Sequence, residues 1–171
     1  MQLSLENRTA LITGGSKGLG LAMARAFTEA GARVAIVARG EAALRQAASA
    51  TGAVPVQADI ATAEGCEAAF REAGAALGRI DILVNNAGTS QRAPFPSVTD
   101  TMWQQDLDLK LFAAIRLSRL AWGGMAERRW GRITSALCAC LHRKRKPPAI
   151  PVACGGFFVA LSWCWLFVTA M

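Results

Sequence analysis

Tyrosine is absent from this 171-residue chain, so no proton transfer can be assigned to a phenol side chain. Acidic residues are absent from its last quarter: all 12 Asp and Glu residues precede Arg128, and seven of the 19 Lys and Arg residues lie from that position onward. The net charge of +7 therefore arises entirely from the residues after Glu127. This distribution argues against a nucleic-acid-binding face on the main body, and we expect no nucleic-acid partner.

Cysteine is also scarce in the main body. Cys66 is the only cysteine among the first 133 residues, and the other four of the five follow. A sparse thiol predicts a reduced, cytoplasmic protein. The first eight residues lack a basic stretch followed by an apolar run, so we expect no signal peptide.

Up to residue 133 the chain alternates short apolar runs with longer amphipathic segments. The apolar runs predict five strands, at 9–13, 33–38, 54–58, 80–84 and about 130–135. The amphipathic segments predict helices at 19–30, 41–50 and 63–77 and a long one from about 100 to 125. Continuous apolar strands that alternate with helices favour parallel pairing covered on both faces. We therefore predict an α/β fold, a doubly wound parallel sheet of order 3-2-1-4-5 with ligands at the carboxyl ends of its strands.

A glycine-rich segment follows the first predicted strand and opens the first predicted helix. Glycines at this spacing let the backbone turn tightly and approach a diphosphate, whose charge is met by free N–H groups at the helix start. A turn needs glycine for structural reasons alone, but the position between a strand and a helix favours a nucleotide site. The residues that we expect at this site are Thr13, Gly14, Ser16, Lys17, Gly18, Leu19 and Gly20.

Two further motifs follow strands. Asn85-Asn86-Ala87-Gly88 comes directly after the fourth strand, and Asp59-Ile60 comes after the third. With the glycine segment, they make residues 5–133 resemble the short-chain dehydrogenase/reductase family. The resemblance implies an NAD(P)-binding Rossmann-type domain over residues 1–133, truncated after about the fifth strand. It places Asp59 and Ile60 at the adenine ring and adds Asn86, Ala87 and Gly88 to the cofactor site.

Cofactor choice in this family depends on the end of the second strand. A carboxylate there would bind the ribose 2′-hydroxyl of NAD, whereas an arginine accommodates the 2′-phosphate of NADP. This chain has Arg39 at that position and no acidic residue before Glu41. Lys17 adds positive charge nearby. We therefore expect NADP rather than NAD, although Arg39 as a solvated loop residue is the alternative.

The family's reaction passes a hydride between the nicotinamide and a carbonyl or alcohol carbon. The resemblance assigns its proton chemistry to a tyrosine, a lysine, a serine and an asparagine. Counted without gaps, those positions hold Pro151, Gly155, Cys138 and Lys110. We therefore name no catalytic residue and expect this chain to be inactive. Lys110 is either a surface lysine or the sign of a branch with an altered proton relay.

Residues 134–171 form an atypical tail, basic at Arg143–Lys146 and uncharged from Ala149 to Met171. Three interpretations stay open. The tail is foreign to the fold through a frameshift or truncation, or it is a membrane anchor at residues 149–171. The third is a metal site at Cys138, Cys140 and His142, whose spacing is not a usual zinc spacing; we expect no metal.

The sequence leaves two functional hypotheses beside the oxidoreductase lineage. One is a non-catalytic nucleotide-binding fragment, and the other is a nucleotide binder tethered to a membrane through residues 149–171. The expected partner is a nicotinamide dinucleotide, and the substrate is not specified. Family members form homo-oligomers through helices that include the long one here, so we expect a homo-oligomer for an intact parent protein only.

Overall fold

The computed structural model describes residues 4–89 and 94–136, and these contain a five-stranded sheet in the order β3-β2-β1-β4-β5. Every neighbouring pair of strands is parallel. The strands are β1 (Thr9–Thr13), β2 (Arg33–Ala38), β3 (Val54–Gln57), β4 (Ile82–Asn85) and β5 (Arg132–Ser135). The predicted strand order and parallel pairing are confirmed, and strand ends differ by at most two residues.

Helices connect the strands and cover both faces of the sheet. They are α1 (Gly18–Glu29), α2 (Glu41–Thr51), α3 (Ala63–Leu77), α4 (Asp100–Leu107) and α5 (Ala113–Glu127), with a short 3₁₀ turn at Phe95–Ser97. Local sequence fixes their ends. Thr62 caps α3 by accepting a hydrogen bond from the Gly65 N–H, and α2 stops at Gly52, whose φ of 72° is left-handed.

The single long helix predicted from about residue 100 to 125 is wrong in one respect. The structure has α4 and α5 joined by a π-helical segment, Asp108–Phe112. A π turn closes its backbone hydrogen bonds over five residues rather than four, and short π segments often occur at functional sites. The apolar periodicity of the sequence does not reveal a π turn, because its hydrogen-bonded ring is only one residue longer than that of an α-helix.

Two apolar clusters hold the sheet between its helices. On one face, Leu11 and Leu83 pack with Leu117 of α5 and with α3, and all three leucines are fully buried. On the other face, Ile12 and Ile36 pack with residues of α1 and α2. Burial of each such side chain stabilises the fold by about 1.5–3 kcal/mol. The strands are therefore fixed in place, and their carboxyl ends form a stable edge.

A buried carboxylate ties β1 to β4 at the opposite, amino edge of the sheet. Asp81, only 2% exposed, accepts hydrogen bonds from the backbone N–H and hydroxyl of Thr9 at 3.2 and 3.3 Å. Arg79 Nε lies 3.0 Å from Asp81 Oδ2, and Arg128 Nε lies 3.7 Å from Oδ1. Because a buried charge needs partners, this cluster has a structural role.

Predictions for the tail fall outside the described residues. These are the replaced catalytic positions Cys138, Pro151 and Gly155, the metal site at Cys138, Cys140 and His142, and the membrane anchor at residues 149–171. Within residues 4–89 and 94–136, none of the helices has the length and apolar character needed to cross a bilayer. Over the same ranges, no cluster of three or more His, Cys, Asp or Glu side chains could hold a metal ion.

Candidate functional site

The glycine segment folds into a tight loop across the carboxyl ends of β1 and β2. The N–H groups of Gly14 and Gly15 both donate to the Val37 carbonyl oxygen, at 2.8 and 3.3 Å. Gly14 has a φ of +67°, a backbone conformation that other residues rarely adopt. A Cβ at Gly20 would stand 2.2 Å from the Gly14 carbonyl oxygen. The loop thus needs glycine at both positions.

The start of α1 faces the open side of this loop. Lys17 is the N-cap residue, its side chain makes no capping hydrogen bond, and the first turn carries no acidic residue. Lys17, Gly18 and Leu19 are exposed. Gly18 has a φ of +57°, and no described atom lies within 4 Å of the position a Cβ would take. Helix-terminal N–H groups beside open space and a lysine fit the charge of a diphosphate.

Asn86 ties this loop to the end of β4. Its side-chain Nδ2 donates to the carbonyl oxygens of Thr13 and Gly14, at 3.0 and 3.3 Å. In return the Thr13 hydroxyl accepts from the backbone N–H groups of Asn86 and Ala87, at 2.9 and 3.0 Å. The two motifs found in the sequence therefore form one hydrogen-bonded unit. Gly88 follows this unit and is exposed at the edge of the sheet.

Arg39 and Asp59 lie at the ends of β2 and β3, on the other side of the glycine loop. Their closest charged atoms, Arg39 Nη1 and Asp59 Oδ2, are 3.9 Å apart, and the two side chains are 60% and 49% exposed. An exposed pair at this distance is weak. The Arg39 guanidinium is thus accessible to a ligand phosphate, and Asp59 lies beside it.

One predicted site residue is placed differently from its neighbours. Ile60 is only 4% exposed and belongs to the apolar core, and its carbonyl oxygen accepts a hydrogen bond from Cys66 Sγ at 3.1 Å. Leu19, in contrast, leaves 56% of its surface exposed. Of these two apolar residues, only Leu19 has an exposed side chain.

An ion pair that was not predicted from the sequence lies at this same edge. Lys110 Nζ lies 2.7 Å from Asp106 Oδ2, and the side chains are 25% and 23% exposed. The aliphatic part of Lys110 lies against Gly88, since a Cβ there would be 3.5 Å from Lys110 Cε. The four-residue spacing of Asp106 and Lys110 on a helix was the available signal for the pair.

Asn85 also lies at this edge, although it is not among the cofactor-site residues predicted from the sequence. Its side chain is buried at the end of β4, and Nδ2 donates to Ser118 Oγ of α5 at 3.4 Å. Within the described ranges, Asn85 Oδ1 and Asp106 Oδ1 are the buried side-chain oxygens without a hydrogen-bond partner. Unsatisfied polar atoms in a fold are uncommon, and both lie toward the carboxyl edge of the sheet.

Comparisons with known proteins agree with this geometry. The short chain dehydrogenase family profile matches residues 8–138. Acetoacetyl-CoA reductase from Paracoccus denitrificans is 35% identical over 129 residues, which are 75% of this chain and 53% of that protein. D-beta-hydroxybutyrate dehydrogenase from Cupriavidus necator is 34% identical over 134 residues, which are 75% of this chain and 52% of that protein.

A solved structure shows the same fold. L-sorbose reductase from Gluconobacter frateurii, in complex with NADPH and L-sorbose, superposes with a TM-score of 0.73 at 36% identity. The alignment covers 79% of this chain and 54% of that one. The chain therefore spans about half the length of the relatives it matches. The parallel sheet, the glycine loop held by Asn86 and the family match over residues 8–138 together establish that this chain belongs to the short chain dehydrogenase family.

Proposed function

We propose that this chain binds NADP(H) at the carboxyl edge of its sheet and does not itself catalyse hydride transfer. The observation that carries the proposal is the unit formed by Thr13, Gly14 and Asn86, which holds an open loop at the start of α1. A loop that is hydrogen-bonded to the end of β4, rich in glycine and free of acidic side chains is suited to a dinucleotide diphosphate.

The expected contacts follow the strand ends. The diphosphate would lie on the loop from Thr13 to Gly20, with Ser16, Lys17, Gly18 and Leu19 around it. The adenosine half would lie toward Asp59 and Ile60, the latter through its backbone because its side chain is in the core. Asn86, Ala87 and Gly88 would border the other half of the cofactor. These assignments rest on the family match and on the positions of the residues at one edge.

Arg39 supports NADP over NAD. Its guanidinium is exposed at the end of β2, where the adenosine ribose would lie, and its nearest carboxylate is Asp59 at 3.9 Å. A phosphate dianion would bind the planar guanidinium more strongly than this weak pair does. Glu41, the next acidic residue along the chain, forms an ion pair with Arg45 of α2 instead. NADPH in the complex of the sorbose reductase relative agrees with this choice.

The absence of tyrosine supports the non-catalytic part of the proposal. Hydride transfer between NADP(H) and a carbonyl or alcohol carbon is the chemistry of the lineage, and it requires an acid for the substrate oxygen. In the family that acid is a tyrosine, and the matching position here is Pro151. We further propose that the nucleotide-binding domain ends just after β5 (Arg132–Ser135), slightly beyond the boundary at residue 133 predicted from the sequence, and that the atypical tail follows it.

A titration of the full chain tests both parts. NADPH and NADH are each titrated by calorimetry, and NADPH oxidation is then followed at 340 nm with acetoacetyl-CoA or L-sorbose present. We expect NADPH to bind at least about tenfold more tightly than NADH, since a hydrogen bond to a charged group contributes about 1.5–3 kcal/mol. We expect no oxidation above the blank. Tighter binding of NADH would overturn the NADP assignment, and steady turnover would overturn the non-catalytic assignment.

A further inference from the structure

The Lys110–Asp106 ion pair lies where the backbone leaves the regular α-helix. Lys110 is the central residue of the π segment Asp108–Phe112, and its ammonium is 2.7 Å from Asp106 Oδ2. Among residues 4–89 and 94–136, Asp106 is the only hydrogen-bond or ion-pair partner of that ammonium. An ammonium has three N–H donors, so the pair leaves donors that face away from the carboxylate.

The contact with Gly88 brings the stem of Lys110 to the end of β4. Measured from the position a Cβ would take on Gly88, Lys110 Cε is at 3.5 Å and Cγ is at 3.8 Å. No other described atom outside the adjoining residues comes within 4 Å of that position. Lys110 is thus the member of the pair that contacts Gly88, and its ammonium is one bond from the contacting Cε.

The strand order shows which half of a dinucleotide would meet this charge. Arg39 and Asp59 follow β2 and β3, the glycine loop follows β1, and Gly88 follows β4. Neighbouring strands are about 4.8 Å apart. A dinucleotide with its adenosine over β2 and β3 and its diphosphate over β1 must extend its nicotinamide half over β4. That half therefore approaches Gly88 and Lys110.

The nicotinamide ring is the part of the cofactor whose charge changes with oxidation state. It is a cation in NADP⁺ and neutral in NADPH. We infer that the Lys110–Asp106 pair sets the relative affinity of the site for the two forms, with Lys110 favouring the reduced form by repelling the oxidised ring. This inference rests on the proposed dinucleotide site. Asp106 offsets part of the repulsion, so the preference is moderate.

A charge cycle on the full chain tests the inference by binding alone. The dissociation constants of NADPH and NADP⁺ are measured for the wild type, Lys110→Met, Asp106→Asn and the double variant. Both forms carry the same adenosine and phosphates, so their ratio isolates the nicotinamide. Lys110→Met leaves the carboxylate unpaired, and we expect the preference for NADPH to fall by about three- to tenfold. Asp106→Asn leaves the ammonium unpaired and is expected to raise the preference by a similar factor.

The double variant and a distant variant serve as controls. The double variant removes both charges and is expected to prefer NADPH less than the wild type does and more than Lys110→Met does. Arg119→Met removes an exposed positive charge from α5 and is expected to leave the ratio unchanged. Circular dichroism is recorded for each variant, to show whether Lys110→Met unfolds the π segment. If that variant does not fold, Asp106→Asn alone tests whether the preference for NADPH rises as expected.

The outcomes separate this inference from the proposed function. A ratio that stays constant in Lys110→Met and Asp106→Asn, or moves in the same direction in both, overturns the role of the pair while NADP(H) binding stands. A wild type that binds neither form overturns the dinucleotide site and the inference together. Opposite shifts in the two variants, with Arg119→Met unchanged, support it.

Discussion

The hydroxyl oxygen of Thr13 lies 2.9 Å from the backbone nitrogen of Asn86, 73 residues away along the chain. The same hydroxyl accepts a second bond from the Ala87 N–H and donates to the Val84 carbonyl oxygen at 3.3 Å. One buried threonine thus joins the end of β1 to the turn after β4. The loop that we propose for the diphosphate depends on this junction.

Replacing this hydroxyl is expected to destabilise the protein. Thr13→Val keeps the shape of the side chain but leaves two backbone N–H groups without an acceptor, which costs about 1–3 kcal/mol of unfolding free energy. Urea denaturation measures the loss. Thr28→Val is the matched control, because the Thr28 hydroxyl donates only to the Ala24 carbonyl oxygen within α1. Equal losses in the two variants would show that the junction has no special role.

Gly20→Ala is expected to abolish NADPH binding while a glycine elsewhere tolerates the same change. At Gly20 the added methyl group would stand 2.2 Å from the Gly14 carbonyl oxygen and 2.6 Å from Asn86 Nδ2, so the loop must move. Gly123 lies in α5 with no described atom within 4 Å of its Cβ position. Gly123→Ala is expected to stabilise α5 by up to about 1 kcal/mol. Calorimetric titration and thermal melts follow both, and unchanged NADPH affinity in Gly20→Ala would contradict the loop assignment.

Arg39→Gln is expected to lower the affinity for NADPH and to leave the affinity for NADH nearly unchanged. Loss of the guanidinium should weaken NADPH binding by about ten- to a hundredfold, because a charge-assisted contact with the phosphate is removed. NADH affinity should change little. Arg45→Gln removes another exposed arginine, whose partner is Glu41, and it is expected to change the affinity for neither cofactor. Parallel loss of NADPH and NADH affinity in Arg39→Gln would speak against recognition of the 2′-phosphate.

Asp81→Asn is expected to weaken the fold and leave the cofactor site intact. The change removes the buried charge that faces Arg79 and Arg128. The side chains of those arginines are 45% and 34% exposed, so solvent screens part of their interaction with Asp81. We therefore expect the unfolding free energy to fall by about 2–3 kcal/mol. Asp108→Asn, on the π segment, is the control with little cost. NADPH affinity within about twofold of wild type is expected, since Asp81 lies at the amino edge. A large affinity loss would contradict that separation.

Cys66 is expected to make stability fall at alkaline pH. Burial raises the pKa of the Cys66 thiol, with the nearby Arg116 guanidinium opposing the shift. The unfolded chain therefore loses this proton first, near the ordinary thiol pKa of about 8.5. Above that pH the folded state binds more protons than the unfolded state, so the unfolding free energy falls as pH rises, by at most about 1.4 kcal/mol per pH unit.

Cys66→Ser tests this pH dependence. Serine keeps a donor for the Ile60 carbonyl oxygen, which Cys66 Sγ contacts at 3.1 Å, and does not titrate in this range. Unfolding free energies between pH 7 and 10 are compared for the two proteins. The four other cysteines are present in both and cancel in the difference. Curves that stay parallel above pH 8.5 would show that Cys66 does not contribute to the alkaline loss.

The sequence by itself determined the parallel sheet and the location of the glycine loop. Uncharged runs such as Val34–Val37 must be covered on both faces, and right-handed crossovers leave few strand orders. The predicted strand at 33–38 agrees with β2 at both ends. Glycine spacing located the loop because backbone conformation and close approach are local requirements. The absence of tyrosine likewise needed no structure to indicate a chain without the family's acid.

Only the tertiary structure decided which distant residues meet. The π segment at Asp108–Phe112 and the approach of Lys110 to Gly88 depend on how α4 and α5 pack against β4, which apolar periodicity does not encode. Hydrogen bonds join Thr13 to Asn86 and Thr9 to Asp81, in each case across about 70 residues of sequence. Such pairings arise because the sheet aligns strand ends that are far apart in sequence. The sequence pattern therefore identified the strands, helices and glycine loop. The packing of these elements determined which charged and hydrogen-bonding side chains lie next to one another.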